Sequence, residues 1–281
     1  MNELKHIAVF MDGSDLGKRL GQRAASLARD HGAHLVGVFG VSRADSMSVS
    51  TTFVRGSAAI QGVIAHQRKI EDELALSAGR QFSDLVLEYG VSSEFRVIWN
   101  DSDSDRALDN LHCDLIVTAQ PKPEHLPASW SAEHLLLRNG GPILLVPDEW
   151  PGDTPGGKIV IAWNGSAKAR RAVNDALPLL VKAREVTILI VDSDKYEERL
   201  GDSPGSEVQD HLARHGVTAG VREASSEGLR LADVIAAQAD LLEADIVVIG
   251  AYSHSRSSEA IFGGVTRTLL TKAPRPLFIA H

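Results

Sequence analysis

A strand–helix unit occurs twice in the chain, and this repeat restricts the fold more than any other feature. Residues 6–14 align with residues 158–166, and both segments are an apolar run that ends in Asp-Gly-Ser or Asn-Gly-Ser. Later in each half, the apolar run at 113–119 aligns with the run at 244–250. Self-similarity on this scale predicts two domains of one fold.

Each half alternates apolar, strand-like runs with helix-like segments, in the order β-α-β-α-β-α-β-α-β. Such alternation predicts a parallel sheet that is covered by helices on both faces. The predicted fold class is α/β, with two tandem doubly wound five-stranded parallel-sheet domains that are Rossmann-like and have strand order 3-2-1-4-5. The domains are predicted at 1–148 and 158–281, joined by a turn-rich linker at 149–157.

Composition limits the function classes. The 281 residues carry a formal net charge of −8 and contain no long basic run, which argues against a nucleic-acid partner. No apolar run is long enough to span a bilayer, and the first residues lack a signal-peptide pattern, so we expect a cytoplasmic protein with no membrane partner. The one cysteine, Cys113, is interpreted as a small apolar residue at the start of a strand and not as a reactive thiol.

The loop after residue 250 is the strongest functional signal. It leaves the carboxyl end of a predicted buried strand, and a Gly-Gly pair at 263–264 then begins a helix. Glycines allow backbone N–H groups to approach a ligand closely, and a helix start adds unpaired N–H donors and partial positive charge. In the predicted strand order, this loop and the loop that carries Asn164 meet where the strand order reverses, which is where doubly wound sheets bind ligands. The sequence therefore predicts a phosphate site there.

This loop is similar to the nucleotide-binding loop of the universal stress proteins, and the chain as a whole resembles their tandem two-domain members. The family pattern is Gly, two residues, Gly, nine residues, Gly and then Ser or Thr. Here the loop has Gly250, two residues, Ser253, nine residues, Gly263 and then Gly264, with Thr266 two positions later. Ser253 thus replaces a glycine and Gly264 replaces the hydroxyl residue, for which Thr266 is a substitute in a different register.

The resemblance implies that the second half binds ATP or a related adenine nucleotide, with or without Mg²⁺, and that no catalytic or metal-ligating side chains are present. Val191 matches the family position whose backbone meets adenine, and Asn164 stands where the family has an Asp that contacts the nucleotide. Two interpretations stay open for Trp163 (adenine or core) and for the loop residues His254 and Arg256 (phosphate or solvent). The expected cofactor-binding residues are Trp163, Asn164, Val191, Gly250, Ser253, His254, Arg256, Gly263, Gly264, Val265 and Thr266.

The first half departs further from the pattern. It keeps Asp12 at the end of its first strand, but the loop after its fourth strand begins Ala119-Gln-Pro and contains three prolines, which have no N–H to donate. We therefore expect a degenerate nucleotide loop in this half. The alternative is a site for another small ligand or for a partner.

Two short motifs in the second half are weaker signals. The Gly201–Gly205 segment has the Gly-x-Ser-x-Gly spacing of a nucleophile elbow, but no strand precedes it and a proline follows the serine. His211 and His215 have the spacing of metal ligands on a helix, but no Glu lies between them. We interpret the first as a loop and the second as a helix end.

The leading hypothesis is a non-enzymatic or weakly hydrolytic stress-response protein that works as a nucleotide-dependent regulator or adaptor. The alternative is a nucleotide-free structural protein, in which the last strands of the two halves pair within one chain or between the chains of a homodimer. A third hypothesis, an enzyme of the wider adenine-nucleotide alpha-hydrolase kind, has no catalytic constellation to support it.

Overall fold

The structure, a computed structural model, describes residues 3–42, 57–100, 111–120, 130–147, 150, 156–196, 203–251, 264–273 and 275–281. The chain forms two compact units. The first unit is Lys5–Asn139, and the second unit is Gly140–His281 together with Met1–Leu4. The helices and strands of both units alternate along the chain, so the predicted α/β class is confirmed.

The first unit has four parallel strands in the order β3-β2-β1-β4. Ile7 in the central strand lies opposite Leu35 on one side and Leu115 on the other. The strands are β1 (His6–Phe10), β2 (His34–Ser42), β3 (Ser93–Asn100) and β4 (Leu115–Gln120), and the helices are α1 (Asp15–His31), α2 (Ser57–Tyr89) and α3 (Ala132–Asn139). The helix predicted at 103–112 lies almost wholly outside the described residues, and Leu111 and His112 are not helical.

The second unit has six strands in the order β5-β10-β9-β6-β7-β8. The strands are β5 (Ile143–Pro147), β6 (Lys158–Ala162), β7 (Glu185–Val191), β8 (Ala219–Ala224), β9 (Ile246–Gly250) and β10 (Leu277–Ala280). The helices are α4 (Ala167–Leu180), α5 (Ser206–Arg214), α6 (Leu231–Leu241) and α7 (Gly264–Lys272). All these strands are parallel to their neighbours except β5.

Strand β5 pairs antiparallel with β10, with Leu144 opposite Phe278. The sequence analysis assigns residues 143–147 to the first half, as its fifth parallel strand. In the structure this strand belongs with the second unit, because its backbone pairs with β10. This is the pairing of last strands that the alternative hypothesis predicts.

Equivalent residues of the two repeats make equivalent hydrogen bonds at both ends of the first strand of each unit. At the start, the carboxylate of Asp114 accepts hydrogen bonds from the backbone N–H groups of Lys5 (2.6 Å) and His6 (2.9 Å), and Asp245 accepts one from Lys158 N–H (2.7 Å). At the far end, the serine after the Gly caps the next helix: Ser14 Oγ accepts from Gly17 N–H at 3.1 Å. Ser166 Oγ accepts from Ala169 N–H at 3.2 Å in the same way. These contacts satisfy groups that strand and helix ends otherwise leave unpaired.

Apolar side chains fill the space between sheet and helices in both units. The strands β1, β4 and β9 are almost wholly buried, as expected of strands covered on both faces. Among the described residues, no helix is both long and apolar enough to cross a membrane.

Candidate functional site

A cavity of about 110 Å³ opens at the carboxyl ends of β6 and β9 in the second unit. These two strands are neighbours at the point where the strand order reverses. Helices α6 and α7 supply further wall residues, so strand ends and two helices border the space. This β6–β9 cavity is lined by Ala162, Trp163, Asn164, Ala169, Leu189, Val191, Leu231, Ile235, Ile249, Gly250, Val265 and Thr266.

Apolar side chains form most of the wall. Leu189 and Val191 lie on β7, and Leu231 and Ile235, one turn apart on α6, lie on the same face of that helix. Such a lining suits a flat, weakly polar ring, because apolar walls with a few placed polar groups are typical of cofactor sites.

Asn164 is the polar group at the end of β6. Its side-chain oxygen accepts a hydrogen bond from Ser166 N–H at 3.2 Å, which fixes the orientation of the amide. The other end of the amide is an NH₂ group, and within the described parts of the chain it has no acceptor. Asn164 therefore presents hydrogen-bond donors at the cavity, whereas an Asp in this position would present acceptors.

Gly250 has a packing role that the sequence analysis does not assign to it. A Cβ atom at this position would lie 2.3 Å from the carbonyl carbon of Lys168 and 2.4 Å from the backbone nitrogen of Ala169. The first turn of α4 thus passes directly over the end of β9. A side chain here would collide with rigid backbone, so the glycine allows the helix to approach the strand.

The helix α7 begins at Gly264, beside the cavity. A Cβ atom at Gly264 would meet nothing within 4 Å in the described part of the protein, so packing does not require a glycine here. The first turn of α7 contains no acidic residue, and its last turn contains Lys272. Its N-terminal end therefore carries the partial positive charge of a helix start, without a carboxylate from its own first turn.

The first unit fills the corresponding place with its own side chains. The strand register matches Phe10 to Ala162, which lines the β6–β9 cavity. Phe10 is 0% exposed and packs against Trp130, which is 1% exposed, with ring centroids 4.8 Å apart. Asp12, the counterpart of Asn164, is buried, and its carboxylate accepts hydrogen bonds from Ser14 N–H (3.0 Å) and Ser14 Oγ (2.6 Å).

A buried carboxylate ties together the ends of β7 and β8 next to the cavity. Asp192 follows Val191 and has a φ of 54°, which is unusual for a residue other than glycine. Its carboxylate accepts hydrogen bonds from Ser226 N–H at 2.6 Å and from Ser226 Oγ at 2.7 Å, and both residues are buried. Ser226 precedes α6, so this clasp holds the α6 wall against β7. The register matches Asp192 to Val41 in the first unit, where the clasp has no counterpart.

We expect Ser226→Ala to lower the free energy of unfolding by about 2 kcal/mol, because it removes a buried hydrogen bond to a carboxylate. Ser225→Ala is the matched control, since Ser225 is exposed, and it is expected to change the free energy by less than about 0.5 kcal/mol. Urea unfolding followed by circular dichroism measures both. Equal stability of the two variants would show that the clasp has no such role.

A comparison with known protein families identifies the family of the second half of the chain. The model of the universal stress protein family matches residues 157–281. The second half of the chain belongs to the universal stress protein family. This is the half that contains the β6–β9 cavity.

Solved structures of the family match the whole chain in fold. A universal stress protein from Archaeoglobus fulgidus DSM 4304 aligns with a TM-score of 0.63 and 14% identity, over 98% of this chain and 95% of that chain. A protein from Pseudomonas aeruginosa UCBPP-PA14 assigned to the same family aligns with a TM-score of 0.59 and 19% identity, over 99% of this chain and 93% of that chain. At these identities the likeness shows the fold alone. No curated protein matches the chain by sequence.

The structure of this universal stress protein domain brings several of the expected cofactor-binding residues to one cavity. They are Trp163, Asn164, Val191, Gly250, Val265 and Thr266. Thr266 is buried, and Gly264 is exposed at the start of α7 without lining the cavity. Four of the expected residues lie outside the described residues: Ser253, His254, Arg256 and Gly263.

The sequence analysis finds Val191 but misses the other residues of the apolar wall, and it misses the clasp. Leu231 and Ile235 are spaced by four residues on a predicted helix. Helical periodicity therefore predicts that they share one face of the helix, but it does not predict that this face borders a cavity. Asp192 and Ser226 are 34 residues apart and belong to no motif.

The structure also describes Cys113 and His211, whereas Gly201 and Asp202 of the Gly201–Gly205 segment lie outside the described residues. Burial, and after it the charge of Asp114, raises the pKa of the Cys113 thiol to about 12, so the group is uncharged and unreactive at neutral pH. His211 donates its Nε2 hydrogen to Asn174 Oδ1 at 3.0 Å. Across the described ranges, no three His, Cys, Asp or Glu side chains form a group that could hold a metal ion.

Proposed function

We propose that the second unit binds ATP or a related adenine nucleotide in the β6–β9 cavity and that the protein is a cytoplasmic, nucleotide-dependent regulator or adaptor. The observation that carries the proposal is the position of this cavity. It lies at the strand-order reversal, between an apolar wall and the N-terminal end of α7. Open sheets of this kind bind nucleotides at such a point.

In this proposal the adenine ring lies against the apolar wall of β7 and α6. Leu189, Val191, Leu231 and Ile235 supply that wall, and Trp163 borders it. The NH₂ group of Asn164 donates to an acceptor on the ribose or the base. An amide in place of the carboxylate also leaves the cavity without a negative charge at this position, which favours an anionic ligand.

The phosphates are proposed to lie at the start of α7, with Mg²⁺ carried by the phosphates when it is present. Two observations support this assignment. The described residues leave space at Gly264, where a ligand can approach the backbone of the helix start, and Thr266 lines the cavity beside it. Ser253, His254, Arg256 and Gly263 complete the proposed phosphate-binding loop.

The proposed role is regulatory and not catalytic. Bound nucleotide would favour one conformation of the protein, and a partner would bind that conformation. Slow hydrolysis of ATP is compatible with this role. The proposal also includes a homodimer, whose test is sedimentation at several protein concentrations.

Isothermal titration of the full chain with ATP tests the binding. We expect one site in the second unit, and we expect ADP to compete for it, since both ligands share adenine, ribose and two phosphates. An absence of heat, together with no competition at millimolar ligand, would remove the proposal.

A second candidate function is a nucleotide-free structural role, and the antiparallel pairing of β5 with β10 favours it. Backbone pairing of this kind connects elements of the chain without any ligand. A protein that shows no ATP binding but keeps its fold and a stable assembly would support this second candidate.

A further inference from the structure

A second cavity, of about 250 Å³, lies between α4 and α5 of the second unit. It is separate from the β6–β9 cavity, whose helical walls are mainly α6 and α7. The two cavities share Trp163. The nucleotide proposal uses no other residue that lines this α4–α5 cavity, so what binds in it is a further question.

An uncharged contact lines one end of the α4–α5 cavity. Asn174 of α4 and His211 of α5 both line the cavity, and His211 Nε2 donates to Asn174 Oδ1 at 3.0 Å. Desolvation, followed by the charges of His215 and Arg214, lowers the pKa of His211 below its ordinary value. The imidazole is therefore neutral at pH 7, and this end carries no charge.

Two opposite charges border the cavity one helical turn closer to the helix starts. Arg170 precedes Asn174 by four residues on α4, and Glu207 precedes His211 by four residues on α5. Arg170 has one long hydrogen bond, to Gly165 O at 3.4 Å, and within the described ranges neither charge has an ion-pair partner. The cation and the carboxylate thus both line one cavity without neutralising each other.

The rest of the cavity supplies an apolar surface and further N–H donors. Trp163, Val173 and Val208 are buried and line it. Trp163 is 9% exposed, and its indole N–H has no acceptor among the described residues. The N-cap residue of α5, Gly205, has no side chain to cap the helix. Ser206 N–H donates to Ser203 O at 3.1 Å, whereas the N–H groups of Glu207 and Val208 have no acceptor among the described residues.

We propose that the α4–α5 cavity binds a small zwitterion, namely a free α-amino acid with an apolar side chain. Its carboxylate binds Arg170 and the N–H groups of Glu207 and Val208 at the start of α5, and its ammonium group binds the side-chain carboxylate of Glu207. Its side chain packs against Trp163, Val173 and Val208. A simple anion would be repelled by the Glu207 carboxylate, and a simple cation would be repelled by the Arg170 guanidinium. A ligand that carries both charges therefore fits this pair of side chains best.

Isothermal titration of the full chain with L-leucine, in the absence of nucleotide, tests the proposal. We expect saturable binding at one site. N-acetyl-L-leucine, which lacks the ammonium group, and L-leucinamide, which lacks the carboxylate, are each expected to bind at least about tenfold more weakly, because each loses a charge-assisted hydrogen bond. Absence of saturable L-leucine binding, or equal binding of all three compounds, would overturn the proposal.

Substitutions locate the site. Arg170→Gln and Glu207→Gln are each expected to raise the Kd for L-leucine about tenfold, with unchanged Tm, because both side chains are exposed. Arg171→Gln is the matched control, since Arg171 is on the same helix and pairs with Asp175 outside this cavity, and it is expected to leave the Kd unchanged. Binding that is insensitive to both Arg170→Gln and Glu207→Gln would overturn the assignment to this cavity. ATP titration is a separate measurement, so failure of either proposal leaves the other standing.

Discussion

Replacing Gly250 by alanine is expected to lower the free energy of unfolding by about 2–3 kcal/mol. The added Cβ would lie 2.3 Å from the carbonyl carbon of Lys168 and 2.4 Å from the nitrogen of Ala169, and these backbone atoms move only if α4 shifts away from β9. A shift of α4 would also displace Ala169, which lines the β6–β9 cavity. Urea unfolding measures the loss of stability, and ATP titration measures the accompanying loss of affinity.

The matched control for this substitution is Gly220→Ala. Gly220 also lies in a strand of the second unit, and a Cβ atom there would meet nothing within 4 Å. Its replacement is expected to change stability by less than about 0.5 kcal/mol. If Gly250→Ala proved as stable as Gly220→Ala, the packing role of Gly250 would be wrong.

Replacing Ala162 by phenylalanine is expected to weaken ATP binding at least about 100-fold while the fold persists. The substitution copies Phe10, which occupies the matching strand position of the first unit and packs there against Trp130. A phenyl ring at position 162 would enter the β6–β9 cavity, and a close-packed interior leaves no room for both the ring and a ligand. Isothermal titration measures the affinity, and circular dichroism verifies the fold.

Leu241→Phe is the control for the added aromatic ring. Leu241 lies at the end of α6, is 65% exposed and does not line the cavity, so its replacement is expected to leave the ATP affinity unchanged. Undiminished ATP binding by Ala162→Phe would exclude the β6–β9 cavity as the site.

The sequence predicts those parts of the fold that depend on local pattern. The two Gly-Ser segments after β1 and β6 indicate where each strand ends and each helix begins, and Ser14 and Ser166 cap helices as such serines commonly do. The apolar runs at β4 and β9 indicate buried parallel strands because they do not alternate with polar residues. Asn164 and Val191 are found from the same patterns together with the family resemblance.

Features that depend on contacts between distant residues are not predictable in this way. The need for glycine at position 250 arises from the path of α4, more than 80 residues earlier in the chain. The contact of Phe10 with Trp130 and the hydrogen bond of Ser226 to Asp192 are also not predictable from the sequence, because neither pair of residues belongs to a motif. The pairing of β5 with β10 is foreseen only as an alternative, because a strand's sequence does not specify which edge it joins.

Backbone amide NMR of the isotope-labelled full chain, recorded during ATP addition, tests the central claim most directly. That claim is that the second unit holds the nucleotide at the carboxyl ends of β6 and β9, with its phosphates at the main-chain N–H groups that begin α7. We predict saturable shifts at Asn164, Gly250, Gly264 and Val265, and none at Met11 and Asp12 in the first unit. Shifts confined to the first unit, or no shifts at saturating ATP, would contradict the account.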